Sequence, residues 1–330
     1  MRHPRSALLA VLLLAICAGP ASAARPAAAD TARAEHQRTV AYWTADRLAS
    51  ATPRDFVRTA SGFSPAARGA KPPSGGGNVS GASWTKGGLI LRASGKVFFT
   101  MAGVRYTCSG SVASDGRSSY SLVLTAAHCA YDESGEAFAT NWIFIPEYDT
   151  APGGQDCAAS LRGCWTAQAL VVHDGYASAG GFNTQATVHD FALAVVGPGG
   201  KSGSAQLDST VGSFALSTST LAVSSKVYAF GYPAAGKYKG NDLTYCAGPI
   251  FEDPYNAKQT WGMTCNMTGG SSGGPWLSSF SEASGSGTLS SLNSYGYSGV
   301  KAMHGPKFNQ QTAAVYSAAD GATSNTIVGQ

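Results

Sequence analysis

The stretch TGGSSGGP, residues 268–275, places four glycines and two serines within eight residues. A flexible Gly/Ser linker is the simplest interpretation of such a composition. The stretch, however, lies between MTCNM and WLSSF, which bring a cysteine and large apolar residues to its two sides. Linkers rarely lie in such surroundings, so we expect this segment to belong to a folded domain.

A second interpretation is the nucleophile elbow of esterases, because residues 270–274 match the pattern G-x-S-x-G. In an α/β-hydrolase that serine follows a strand, opens a helix, and precedes its acid and then its histidine. Downstream of Ser272 the only histidine is His304, and the only aspartate, Asp320, comes after it. The order of the residues therefore argues against this interpretation.

A third interpretation makes Ser272 a nucleophile whose partners lie upstream. VLTAAHC places His128 at the end of an apolar run, and HDFALAVV places Asp190 at the start of another. A serine nucleophile needs a base to take its proton, and the base needs a carboxylate to hold its tautomer. The glycines let the backbone N–H groups of Gly270 and Ser272 point at one spot, where a single donor is worth roughly 10²–10³ in rate.

The chain around these motifs is typical of a β-rich protein. Only 13% of its 330 residues are charged, 44% are hydrophobic, and 41 are glycine. Short apolar runs separated by turn residues begin at about residue 81, and neither helix–strand alternation nor an internal repeat is visible. This pattern predicts antiparallel sheet in a sandwich or barrel.

Taken together, TAAHC, DFAL and GSSGGP resemble the trypsin/chymotrypsin-like serine proteases over roughly residues 95–320. The resemblance implies an all-β fold of two antiparallel six-stranded β-barrels with the catalytic cleft between them. The segment of residues 24–80, called the leader below, and the variant MTGGSSGGPW resemble bacterial secreted members, including the glutamyl-endopeptidase-like group, more than animal digestive enzymes.

The resemblance also implies a role for each motif residue. Ser272 is expected to be the nucleophile, His128 the general base and then acid, and Asp190 the residue that orients it. The backbone amides of Gly270 and Ser272 are expected to form the oxyanion hole. Substrate backbone is expected to pair as an antiparallel strand with Ser294, Tyr295 and Gly296.

Three positions depart from the family pattern. Ser271 stands where animal members carry an aspartate that pairs with a freshly cut N-terminus, so we expect activation by unblocking of the cleft instead. Asn266, six residues before the nucleophile, is placed at the base of the substrate pocket and disfavours a preference for Lys or Arg. Asn293 stands where glutamate-specific relatives carry histidine, which leaves a preference for glutamate open.

The N-terminus predicts export. A basic start, an apolar run too short to span a membrane, and an A-x-A site indicate a signal peptide over residues 1–23. Residues 24–80 differ in composition, with one predicted helix that ends at Pro53 and then a Pro/Gly/Ser linker, and we interpret them as a propeptide. The protease domain is predicted over residues 81–330, secreted and free of the membrane.

Cysteine usage agrees with an oxidising compartment. Removal of Cys17 with the signal peptide leaves six cysteines, an even number. Six cysteines allow fifteen sets of three disulfides, and the simplest is sequential: Cys108–Cys129, Cys157–Cys164 and Cys246–Cys265. The resemblance supports the first of these pairs, beside the catalytic histidine. No CxxC pair or CxxH cluster is present, so we expect neither a metal nor a cofactor.

Charge distribution limits the partners. Residues 1–80 hold ten basic and four acidic residues, a net of +6, and the rest hold thirteen and fifteen, a net of −2. The basic excess lies in the leader, so nucleic-acid binding is not expected. We expect a monomer that acts on polypeptides. The alternatives are a catalytically silent protease-fold binding module and, more weakly, an esterase on this fold.

Overall fold

The computed structural model describes residues 28–59, 61–65, 79–150 and 156–329. The predicted signal peptide, residues 1–23, and most of the predicted linker therefore lie outside the described residues. Within the described part of the chain, no helix combines the length and apolarity needed to cross a membrane.

The leader forms two helices and three short strands rather than the single helix and linker expected: α1 (Ala28–Tyr42), α2 (Ala45–Ser50), β1 (Thr52–Pro53), β2 (Phe56–Thr59) and β3 (Gly62–Pro65). The predicted helix is interrupted at Trp43, whose buried indole donates a hydrogen bond to the carbonyl of Asn141 at 2.6 Å. Thr44 then caps α2 by accepting from the backbone N–H of Arg47. Burial of one large aromatic side chain thus outweighs helix continuity.

The first half of the catalytic part is a closed antiparallel barrel. Its strands follow in the order β6-β5-β10-β11-β12-β7, and pairing of β7 with β6 closes the ring. Short helices and a two-stranded hairpin, β8 with β9, lie in the connections. The elements from residue 79 to residue 211 are β4 (Val79–Ser83), α3 (Gly88–Ala93), β5 (Ser94–Met101), β6 (Val104–Ala113), β7 (Ser121–Thr125), β8 (Tyr131–Asp132), β9 (Ala137–Phe138), β10 (Thr140–Pro146), β11 (Trp165–His173), α4 (Asp174–Ala177), α5 (Thr184–Val188), β12 (Ala192–Val196) and α6 (Leu207–Val211). Of these, β4 pairs with a strand of the second half.

The second half is another antiparallel sheet, with the order β17-β16-β13-β14-β15-β19, flanked by β18 and β4. Its outer strands approach each other, since the Ser291 hydroxyl donates to the carbonyl of Pro306 at 2.8 Å. The elements from residue 226 onward are β13 (Lys226–Gly231), β14 (Thr244–Glu252), β15 (Thr260–Thr264), β16 (Pro275–Ser281), β17 (Ser286–Leu292), β18 (Tyr295–Tyr297), β19 (Ala302–Pro306), α7 (Gln310–Ala319) and β20 (Thr326–Val328). The last of them, β20, returns to the first barrel and pairs with β11. The prediction of an all-β, two-barrel fold is confirmed.

The three disulfides in the structure are the sequential pairs: Cys108–Cys129, Cys157–Cys164 and Cys246–Cys265. The first joins β6 to the turn that carries His128. The third joins β14 to the segment that leads from β15 to the loop that carries Ser272. Two of the three covalent links therefore fix backbone next to the predicted site, one in each barrel.

Candidate active site

The two barrels bring the three predicted catalytic residues together at their junction. His128 lies in a single 3₁₀ turn, Ala127–Cys129, directly after β7. Asp190 lies just before β12, and Ser272 lies in the loop between β15 and β16. All three are buried, with exposed fractions of 0%, 0% and 3%. Side chains from distant parts of the sequence therefore share one water-poor site.

The His128–Asp190 pair has the geometry of a base and its orienting carboxylate. One carboxylate oxygen of Asp190 lies 2.8 Å from Nδ1 of His128, and the other accepts the backbone N–H of His128 at 2.9 Å. The hydroxyl of Ser294 also donates to Asp190. With its proton on Nδ1, the imidazole leaves Nε2 as the basic nitrogen. Nε2 has no hydrogen-bond partner among the described residues.

The loop that carries Ser272, the predicted nucleophile, depends on its glycines. Gly273 has φ +81°, and a Cβ there would lie 2.2 Å from Oγ1 of Thr125. Its N–H donates to the carbonyl of Asn293 at 2.8 Å. The carbonyl of Gly270 accepts from the hydroxyl of Ser109 at 2.8 Å, which leaves the Gly270 N–H facing the cleft. This loop therefore has the shape needed to present a hydroxyl together with a backbone donor.

A residue that the sequence reasoning missed, Asp55, occupies this donor site. The Ser272 hydroxyl donates to Oδ1 of Asp55 at 2.6 Å, and the N–H of Gly270 donates to Oδ2 at 2.9 Å. Burial raises the pKa of the Asp55 carboxyl, while these hydrogen bonds and the charge of His128 act in the opposite direction. Ser272 is thus bonded to the leader and not to His128. A lone aspartate in a leader gives no sequence signal of such a contact.

Among the predicted substrate-binding residues, Asn293 uses its side-chain amide in hydrogen bonds within the chain. Its side-chain amide donates to the carbonyls of Phe230 and Ser271, at 2.7 and 3.0 Å, and its carbonyl accepts from the indole of Trp276 at 2.8 Å. It has no exposed surface. The polar atoms of this side chain are thus bonded to groups on both sides of the loop that carries Ser272.

The other predicted substrate-binding residues lie along the cleft. Asn266 is partly buried and accepts a hydrogen bond from the hydroxyl of Tyr238 at 2.5 Å. Ser294 contacts Asp190, as described above, and is followed by Tyr295 and Gly296 in β18. In this structure β18 is paired with β2 of the leader, so the predicted substrate strand is already occupied.

An aromatic patch beside His128 was also missed. Phe182 lies next to the His128 ring, with 5.6 Å between centroids, and the leader's Phe56 stacks on Phe182 at 3.9 Å. Phe63 of the leader contacts both Phe182 and Tyr295 edge-on. A single Phe in a loop could not be singled out from the sequence, because its neighbours come from three separate segments.

Possible metal ligands cluster at one point among the described residues. Cys108, Cys129 and His128 lie within reach of a common ion. The two sulfurs are joined in a disulfide and cannot act as thiolate ligands. Of these three residues, only the His128 ring is therefore available as a ligand.

Comparison with known proteins agrees with this geometry. The sequence model of the trypsin-like peptidase domain matches residues 108–285, more than half of the chain. The crystal structure of protease Anisep from Arthrobacter nicotinovorans is 35% identical with a TM-score of 0.60, over 74% of this chain and 100% of that one. The thermostable serine protease AL20 from an extremophilic microorganism is 33% identical with a TM-score of 0.59, over 70% and 98%.

A more distant structure shares the fold alone: a Glu endopeptidase in complex with MPD is 17% identical, with a TM-score of 0.53, over 75% of this chain and 99% of that one. None of the curated protein sequences compared with the chain matches it. The chain belongs to the trypsin-like peptidase family, and it is a serine endopeptidase. The expected similarity to bacterial serine proteases is confirmed.

Proposed function

We propose that this chain is a secreted, monomeric serine endopeptidase, made as a precursor, that cleaves polypeptides through an acyl-enzyme formed on Ser272. The observation that carries the proposal is the hydrogen-bonded pair of His128 and Asp190 at 2.8 Å, placed across the cleft from Ser272. Residues 1–23 serve as the signal peptide, residues 24–80 as the propeptide, and residues 81–330 as the protease domain.

The chemistry follows from the positions of three groups. Once Asp55 is withdrawn, the Ser272 hydroxyl turns toward Nε2 of His128, which takes its proton as the oxygen attacks the substrate carbonyl carbon. Asp190 stabilises the imidazolium that results. The protonated His128 then gives its proton to the leaving amine, and a water molecule repeats the sequence to release the acid.

Binding of the transition state falls to the backbone. The N–H groups of Gly270 and Ser272 receive the developing oxyanion, and substrate pairs in antiparallel fashion with Ser294, Tyr295 and Gly296. The N–H of Gly270 already donates to a carboxylate oxygen at 2.9 Å, so this donor is aimed at a negatively charged oxygen before substrate arrives.

The test is labelling of the secreted, leader-free protein with a serine-directed fluorophosphonate, with casein digestion in parallel. Wild type, Ser272→Ala and a control, Ser284→Ala, are compared, Ser284 being an exposed loop serine. We expect wild type and the control to take one label and cut casein, and Ser272→Ala to do neither.

Absence of label and of cleavage in leader-free wild type would reject the endopeptidase proposal. The protein would then be a protease-fold binding module without turnover. Label at a serine other than Ser272 would reject the assignment of the nucleophile.

A further inference from the structure

The leader passes through the cleft as an extended chain. β1 lies parallel to β6, with Pro53 opposite Thr107, and β2 lies parallel to β18, with Val57 opposite Gly296. Between these two strands lie Arg54 and Asp55, directly over Ser272. One continuous segment thus covers the cleft on both sides of the nucleophile.

The direction of this segment is opposite to that of a substrate. The proposed function has substrate antiparallel to β18, whereas β2 is parallel to it in three successive residue pairs: Phe56 with Tyr295, Val57 with Gly296, and Arg58 with Tyr297. Because the direction is reversed, a side chain rather than a peptide carbonyl meets the nucleophile. That side chain is Asp55, whose carboxylate carbon is a poor electrophile because its two oxygens share a negative charge, and it carries no amine that could leave.

The carboxylate also separates the nucleophile from its base. It accepts from the Ser272 hydroxyl at 2.6 Å and from the N–H of Gly270 at 2.9 Å, so it occupies both the nucleophile and an oxyanion donor. Nε2 of His128, the atom that should receive the serine proton, is left without a partner among the described residues. Hydrogen bonds to a charged acceptor are stronger than neutral ones, which makes this contact costly to break.

Neighbouring residues hold Asp55 in place. The Arg54 guanidinium, which is largely buried, lies 3.2 Å from the carboxylate of Glu133 and also donates to the backbone carbonyl of His128. The Tyr176 hydroxyl donates to the same Glu133 at 2.8 Å. On the other side, the Phe56 ring packs against His128 and Phe182. Asp55 therefore lies between a buried ion pair and an aromatic stack.

We propose that residues 52–59 are an inhibitory strand that binds the cleft in reverse, with the Asp55 carboxylate as the group that blocks Ser272 and the oxyanion site. This inference rests on the proposed function. It identifies a second kind of ligand for the same cleft: an extended peptide of opposite direction that carries an aspartate followed by an aromatic residue. The segment remains uncut because no peptide carbonyl reaches the nucleophile.

The first experiment measures the rate of fluorophosphonate labelling of the intact precursor, with leader attachment checked by intact mass. Precursors with Asp55→Ala and Asp55→Asn are compared with wild type. Asp46→Asn serves as the matched control, because Asp46 is an exposed aspartate of the same leader. We expect Asp55→Ala to label about tenfold faster or more, since two charge-assisted hydrogen bonds are lost.

Asp55→Asn keeps the size of the side chain, so its precursor should label at a rate between those of Asp55→Ala and wild type. The Asp46→Asn precursor should label at the wild-type rate. If Asp55→Ala and Asp55→Asn precursors label no faster than wild type while leader-free enzyme labels rapidly, Asp55 is not the blocking group and the proposal is wrong.

The second experiment tests strand direction without catalysis, in a Ser272→Ala precursor. Cysteines placed at residues 58 and 297 lie opposite each other in the reversed strand and should form a disulfide. Cysteines at residues 58 and 295 would face each other only in an antiparallel strand, so they are the matched control. A link between 58 and 295 but not between 58 and 297, mapped by mass spectrometry, would overturn the reversal.

Failure of the proposed function is distinguishable from failure of this inference. Leader-free wild type that neither labels nor cuts casein rejects the enzyme proposal. The cross-linking result still decides whether residues 52–59 bind in reverse.

Discussion

His304 is a buried histidine whose protonation should destabilise the wall of the cleft at acid pH. The side chain lies on β19 with no exposed surface, and neither ring nitrogen has a hydrogen-bond partner among the described residues. Its ring stacks on Tyr295 with 5.2 Å between centroids. Burial lowers its pKa from 6.5 to about 4, although the Asp253 carboxylate, 3.9 Å from Nε2, acts in the opposite direction.

The size of the effect follows from the difference between the two pKa values. The native state binds a proton at His304 less readily than the unfolded chain does. The contribution of neutral His304 to the free energy of unfolding is therefore complete above pH 6.5 and is lost as pH falls toward 4. Each pKa unit corresponds to about 1.4 kcal/mol, which gives a loss of about 2 kcal/mol at pH 5 and about 3 kcal/mol at pH 4.

The assay is urea unfolding of the Ser272→Ala precursor at pH 7, 6, 5 and 4, with and without His304→Gln. Subtracting the two curves removes the contribution of the carboxylates that both proteins share. We expect the difference in the free energy of unfolding to change by about 3 kcal/mol in favour of His304→Gln between pH 7 and pH 4. The control is His189→Gln, because both ring nitrogens of His189 have hydrogen-bond partners.

Parallel pH dependences of the parent protein and His304→Gln would refute the reasoning, because they would mean that the native state accepts the proton as readily as the unfolded chain. A change equally large in His189→Gln would refute it too, since the effect would then not depend on the unpartnered ring of His304.

Three further substitutions test the rest of the structure. Burial lowers the pKa of Lys96 to about 8. Lys96→Met should therefore raise the free energy of unfolding, measured by urea denaturation at pH 7, by up to about 3 kcal/mol. This gain in the free energy of unfolding should decrease as pH rises from 8 to 10.5. Phe182→Ala should raise KM about tenfold for peptides with an aromatic residue near the cut, with little change in kcat. Asn293→Ala removes three buried hydrogen bonds, among them the partner of the Trp276 indole N–H, so it should cost at least about 2 kcal/mol in thermal unfolding and slow fluorophosphonate labelling of Ser272.

The sequence was informative where chemistry and local structure coincide. His128 follows an apolar run and precedes a cysteine, Asp190 opens another apolar run, and Ser272 is enclosed by glycines that its backbone requires. Each of these signals lies within a few residues. The β-rich class was predictable for the same reason, because short apolar runs between turns report local extended structure.

The sequence was uninformative where function depends on a contact between distant segments. Asp55 is separated from Ser272 by 217 residues and lies in a segment whose composition suggested only a helix and a linker. Phe182 gains its surroundings from the leader and from both barrels. The hydrogen bonds from the Asn293 amide to the carbonyls of Phe230 and Ser271 were equally invisible in the sequence. Contacts between such distant residues depend on how whole strands pack, which no short stretch of sequence reports.

Ser271 explains why a cleft block is a sufficient means of control in this chain. Its hydroxyl donates to the carbonyl of Thr268 at 2.8 Å, and its carbonyl accepts the N–H of Gly274 at 2.9 Å, so the loop is closed by its own short-range hydrogen bonds. With the leader in place, the Gly270 N–H already faces the cleft. No ion pair with a new N-terminus is needed to form the oxyanion donor. Because this loop already has its shape in the precursor, activity must be blocked by another segment. The carboxylate of Asp55 provides that block by accepting hydrogen bonds from the Ser272 hydroxyl and the Gly270 N–H.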